Sequence, residues 1–114
     1  GVAPDPHYPL DGISLAPVLR NPSHTFRRPM HWRMKHRGQR ALRDGDWKYL
    51  RVDDTDYLFN IPGDARERAN KAKREPERLQ VMRSSWESWN ATMPEIAPEA
   101  MVHLGYSYRD MPQR

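Results

Sequence analysis

The chain has 114 residues, enough for one domain and not two. Apolar residues make up 37% and charged residues 30%, so the core must be small, and four Trp, five Tyr and six Met supply much of what can be buried. There is no cysteine, which excludes disulfides, thiolate metal sites and a cysteine nucleophile. That lack leans towards a reducing compartment or towards support from another domain. No apolar run approaches the ~18 residues that span a bilayer, and no membrane partner is expected. The net charge of +4 is moderate, with acids interleaved among the bases, and does not by itself indicate nucleic acid. The opening "GVAPDPHYPLDG" has neither an initiator Met nor a charged-then-apolar signal and reads like the middle of a longer protein.

In chain order, residues 1–10 form a Pro-rich, extended lead-in, since each proline removes a backbone donor. "SLAPVL" (14–19) predicts a short helix, with Ser14 as N-cap and Pro17 tolerated in the first turn. Residues 20–29 read as a loop. "MHWRM" (30–34) alternates, placing Met30, Trp32 and Met34 on one strand face and His31 and Arg33 on the other. "QRALR" and "DWKYLRV" flank Asp44-Gly45, a pair favoured in type I′ hairpins. In that register Leu42 lies opposite Trp47, with Tyr49 further along the same, buried face. Leu50 and Val52 on the other face need cover too. "DDTD" (53–56) predicts a second turn and "YLFNI" (57–61) another paired strand.

Asp64 with Glu67 three residues on reads as a capping-box-like helix start. The longest predicted helix runs from Pro76 to about residue 93 and is ended by Pro94. Leu79, Met82, Trp86, Trp89 and Met93 follow 3-4-3-4 spacing and form one stripe. Residues 95–114 show no periodicity and read as an irregular tail. The predicted fold is α+β: a small antiparallel sheet of about four strands packed against one long C-terminal amphipathic helix.

These pieces, in this order, resemble the C-terminal subdomain of type I, formylglycine-dependent sulfatases (arylsulfatases) of the alkaline-phosphatase-like superfamily. Asp11, Gly12, Ser14, Leu15, Pro17 and Leu19 match the D-G-x-S-L-x-P-x-L pattern. Ala41, Leu42, Arg43, Gly45, Trp47, Lys48 and Tyr49 match A-[LI]-R-x-G-x-W-K-[LY]. Leu58 and Phe59 stand at the E-L-Y-D-L strand, and Asp64, Glu67 and Asn70 match D-P-x-E-x-x-N-L. Ala65 replaces the Pro of that last pattern and Lys71 its final Leu. The resemblance covers residues 11 to 93 and places the subdomain at 11–94. It implies sulfate monoester hydrolysis (or that of a phosphonate or phosphate) by the whole enzyme, using a formylglycine and a divalent cation such as calcium. It also implies an N-terminal catalytic domain as partner and a sulfated small molecule or sugar as substrate, in a bacterial cytoplasm or periplasm.

None of that catalytic chemistry is encoded here. The formylglycine arises from a C/S-x-P/A-x-R motif, and the nearest serine stretch, Ser14 to Val18, lacks the Arg. Asp53-Asp54 invites a metal reading, but Asp is favoured in hairpin turns for its local hydrogen bonds. His31 and His36 fall on opposite strand faces without a third ligand, so no metal site is expected. No catalytic residue and no cofactor is assigned to this chain.

The segment 27–40 carries five Arg, one Lys and two His with no acid. Three readings compete: a charged, solvated strand edge; a rim that draws an anionic ester into a neighbouring cleft; and a nucleic-acid surface with Trp32 stacking on a base. Within it, His36 and Arg37 of the loop 35–40 are the candidate substrate-binding residues, a donor and a fork matching sulfate or carboxylate. Trp86 and Trp89 suit a sugar platform less than a core stripe, and Asn90-Ala91-Thr92 matches the glycosylation sequon by chance. The expected function is therefore structural, with cleft shaping as its further contribution. The alternative is a free-standing basic α+β module binding nucleic acid or another polyanion.

Overall fold

A computed structural model describes residues 5–8 and 12–100. The tail beyond residue 100 and much of the lead-in, with Asp11, lie outside them. The architecture is the expected α+β arrangement: four antiparallel strands in the order β1-β2-β3-β4, with one long helix across one face. The strands are β1 (Met30–Arg33), β2 (Arg40–Asp44), β3 (Trp47–Val52) and β4 (Thr55–Asn60). The helices are α1 (Ala16–Arg20) and α2 (Pro76–Asn90). One 3₁₀ turn, His36–Gly38, links β1 to β2, and another, Ile61–Gly63, follows β4.

The β2–β3 hairpin turns one residue later than the Asp-Gly rule predicts. Asp44 pairs with Trp47, so Gly45 and Asp46 are the central residues and Leu42 faces Tyr49. The left-handed φ falls on Gly45 (+55°) and not on Asp46, whereas a type I′ turn needs it at both. Asp44, now the last residue of β2, accepts two hydrogen bonds from Arg27 through its carboxylate, one from Nε at 2.6 Å. A hairpin displaced by one residue moves each partner by two, so every side chain keeps its face. Leu42, Trp47 and Tyr49 thus remain together. At the next turn, only Asp53 and Asp54 are central, and Thr55 and Asp56 belong to β4.

The helix covers the face carrying His31, Leu42, Tyr49 and Leu58, a single cross-strand row. Leu42, Tyr49, Leu58, Ala72, Met82 and Trp86 form one core, with Trp47, Leu79 and Trp89 packed at its margin. Trp47 and Trp86 share this core, and Arg78 lies 4.4 Å over the Trp47 ring. The Met30 and Trp32 side of β1 turns to the opposite face, where both stay about half exposed. There a second cluster of Val52, Tyr57 and Phe59 is buried, flanked by Leu50 and Ile61.

Three local expectations change. Leu15, not Ser14, caps α1; the Ser14 hydroxyl accepts a hydrogen bond from the Ala16 N–H instead. No helix starts at Asp64: its carboxylate accepts from the N–H groups of Arg68 and Ala69, and Glu67 adopts φ +55°, which breaks a right-handed turn. Helix α2 ends at Asn90, which leaves Met93 beyond it, before Pro94. Thr92 Oγ1 caps the end by donating to the Trp89 carbonyl at 2.7 Å.

Trp86→Ala is expected to cost about 3–5 kcal/mol, as large buried aromatic deletions do; chemical denaturation checks this, and a loss under 1 kcal/mol would mean that α2 does not depend on this anchor. Gly45→Ala is expected to cost about 1–2 kcal/mol because an L-residue is strained at that φ, measured as a shifted denaturant midpoint with an unchanged slope.

Candidate functional site

The loop 35–40 holds the two candidate substrate residues. Arg37 sits at φ +54°, and both its Nε (2.9 Å) and a terminal nitrogen donate to Asp53 Oδ2 in the β3–β4 turn. The Asp53 N–H in return donates to the Arg37 carbonyl at 2.9 Å. Asp53, read from sequence as a turn former, thus also anchors the neighbouring loop. His36 lies beside it, half-buried. The structure therefore places His36 and Arg37 together, with the Arg37 fork already engaged.

Much of the positive charge is similarly spent. Arg27 pairs with Asp44, Lys48 with Glu67, Arg51 with Asp54, and Arg83 with Asp56. Asp56 also accepts from the Tyr49 hydroxyl at 3.0 Å and lies 3.7 Å from Arg51. Burial, reinforced by the Asp56 charge, pushes the Tyr49 phenol up to about 12. Hydrogen bonding from Arg27 holds the Asp44 carboxyl below its ordinary value.

His31 and His36 do not converge. His31 stacks on Trp89 with ring centroids 4.8 Å apart, and its Nε2 is enclosed without a partner. Among the described residues no group of three or more His, Cys, Asp or Glu is placed to hold a metal ion. Trp86 and Trp89 meet edge to face at 6.0 Å within the core margin, which leaves no flat pair of rings for a sugar.

The residues that sequence reasoning singled out only as pattern matches turn out to join distant segments. Asn70 clips onto the outer edge of β4: its Oδ1 accepts from the Leu58 N–H at 3.0 Å and its Nδ2 donates to the Asp56 carbonyl at 3.2 Å. The same oxygen accepts from the Ala72 N–H, and the Lys71 N–H donates to the Leu58 carbonyl at 2.7 Å. Lys48 Nζ reaches both oxygens of Glu67 at 2.7 and 2.8 Å. One feature escaped the sequence reading. Arg33, Arg40 and Arg51 stand opposite one another on three adjacent strands, a register that depends on the turn positions.

Compared with family models and with curated proteins, the chain matches none.

Burial against Trp89 lowers the His31 pKa below the ordinary 6.5, against a smaller upward pull from Asp44. The folded state thus favours neutral imidazole. Its contribution is full above the unfolded value and is lost as pH falls from there through the folded value. The melting temperature is expected to drop between pH 7.5 and 5, and His31→Phe is expected to flatten that slope.

Asn70→Ala would leave the Leu58 and Ala72 N–H groups without their acceptor. It is expected to cost about 1–3 kcal/mol, and hydrogen exchange at Leu58 should rise more than at Leu42.

Proposed function

We propose that this chain is the C-terminal subdomain of a sulfatase-like hydrolase, which completes the enzyme and shapes one wall of its substrate cleft. The observation that carries the reading is the meeting of its separated motifs. Lys48, from the hairpin pattern, pairs with Glu67 from the later one, and Asn70 of that later pattern bonds the backbone of β4. Residues matched by type alone thus have a mutual structural task, which is what a shared subdomain pattern demands.

On this reading the nucleophile, a formylglycine, and a divalent cation such as calcium belong to the catalytic domain. The chain has no cysteine from which to make that nucleophile. The reaction of the whole enzyme is hydrolysis of a sulfate monoester, or of a related phosphate or phosphonate. The loop bearing His36 and Arg37 is the proposed rim. Arg37 acts there as a cation oriented by Asp53, and His36 as the neighbouring donor. The pairing of Arg27, Lys48, Arg51 and Arg83 with carboxylates weighs against an extended polyanion surface, because each pair removes a cation that would neutralise a phosphate.

The test begins with the upstream reading frame. It is expected to continue through a large domain containing a C/S-x-P/A-x-R site; a frame that opens at Gly1 would overturn the proposal. In the full-length enzyme, His36→Ala and Arg37→Ala are expected to raise KM for an aryl sulfate while kcat stays constant, since uniform binding would be lost. Unchanged kinetics in both variants would remove the rim role and leave the structural one.

A further inference from the structure

A cleft of about 580 Å³ opens between the end of β1, the start of β2 and the C-terminal end of α2. We propose that it binds a small organic ester carrying a tetrahedral oxyanion, with Arg33 and Arg40 holding the anion. Met34, Met93 and Ile96 are apolar parts of its lining and take the organic part, beside the polar Gln39 and Asn90.

Arg33 faces Arg40, and Arg40 faces Arg51, all on the helix-covered side of the sheet. Like charges directly opposite repel and need compensation. Asp56 closes the row opposite Arg51, but it also serves Arg83 and the Tyr49 hydroxyl. Among the described residues no carboxylate pairs with Arg33 or Arg40. The Arg40 guanidinium lies 4.7 Å over the Trp86 ring, and its Nε is enclosed without a hydrogen-bond partner. Arg33 is oriented by Asn90 Oδ1 at 3.0 Å and by the Pro94 carbonyl. Each terminal nitrogen carries two hydrogens, so these bonds fix the fork without exhausting its donors.

Two arginines that line the cleft from facing strand positions match an anion with several acceptor oxygens. The segment after α2 builds the opposite wall. Lys35 Nζ fastens it by donating to the Ala97 carbonyl at 3.3 Å and to that of Pro98. Glu95 stands on the rim, exposed and outside any ion pair with the two arginines. Its charge opposes an incoming anion, so removing it should tighten binding. The choice of ester rests on the hydrolase reading, while binding is measurable in the 114-residue chain itself, so the two can fail separately.

The experiment is calorimetric titration of the whole chain with phenyl sulfate and phenyl phosphate, beside phenol and inorganic phosphate. At least one ester is expected to bind about tenfold tighter than phenol and than the inorganic ion, a difference of about 1.4 kcal/mol. Preference between the two esters tells which oxyanion the cleft is built for. Arg40→Met, which keeps an apolar stem over Trp86, and Arg33→Gln are each expected to weaken that ester about tenfold. Glu95→Gln is expected to strengthen it. Equal affinity for phenol and the esters would overturn the proposal, as would absence of saturation or arginine variants that bind like the parent chain. Should Arg40→Met fail to fold, Arg33→Gln and Glu95→Gln decide the matter by their opposite directions.

Discussion

Trp86 is the fastening on which the rest of the domain depends. Its ring is buried over Leu42, Tyr49 and Leu58, while its indole N–H donates to the Trp32 carbonyl of the outermost strand at 2.9 Å. One side chain therefore sets both the depth of the helix and its position across the sheet. An aromatic residue suits this because it buries a large area and still carries one directional donor. With the helix so placed, Met82 covers the middle of the sheet and Trp89 reaches His31. Asn90 is brought to Arg33 by the same placement.

A small sheet must also manage its two edges, since unpaired strand edges invite other chains. The β4 edge is closed by the 70–72 segment, through the Asn70 amide and one backbone bond from Lys71. From β1 and the loop that follows it, the Arg33 and Lys35 side chains hold the chain after α2. Charge on β1 is thus not only a solvated edge. Arg33 works as a structural tie, and Arg27 and Arg37 of the same cation-rich stretch find their acids in Asp44 and Asp53.

The parts of the fold legible in the sequence were those governed by periodicity. The 3-4 spacing of Leu79, Met82, Trp86 and Trp89 fixes the helix face whatever the tertiary context, and alternation in β3 fixes the sheet face. What escaped was set by contacts between distant residues. Asp44 would sit in the turn by local preference, but it ends β2 opposite Trp47, where its carboxylate meets Arg27, seventeen positions earlier. Asp64 and Glu67 have the spacing of a helix start, yet Lys48 draws Glu67 backwards and Asp64 closes a turn. In β1 the apolar residues Met30 and Trp32 are not those that meet the helix, because the register puts His31 beside Leu42.

The candidate site shows the same division. His36 and Arg37 were legible as a basic loop, but the engagement of Arg37 by Asp53 requires knowing that the β1–β2 loop lies against the β3–β4 turn. The Arg33–Arg40–Arg51 row could not be read without the register, because the Asp44-Gly45 turn would pair Arg40 with Tyr49 rather than with Arg51. A shift of one residue at a hairpin leaves the core intact and changes which cations face each other. Core residues tolerate such a shift because any apolar neighbour serves, whereas charges do not, since their energy depends on sign and separation. The cations of this sheet are therefore placed by its turns: with Gly45 and Asp46 central, Arg40 faces Arg51, and Arg33, opposite Arg40, stands in the same row.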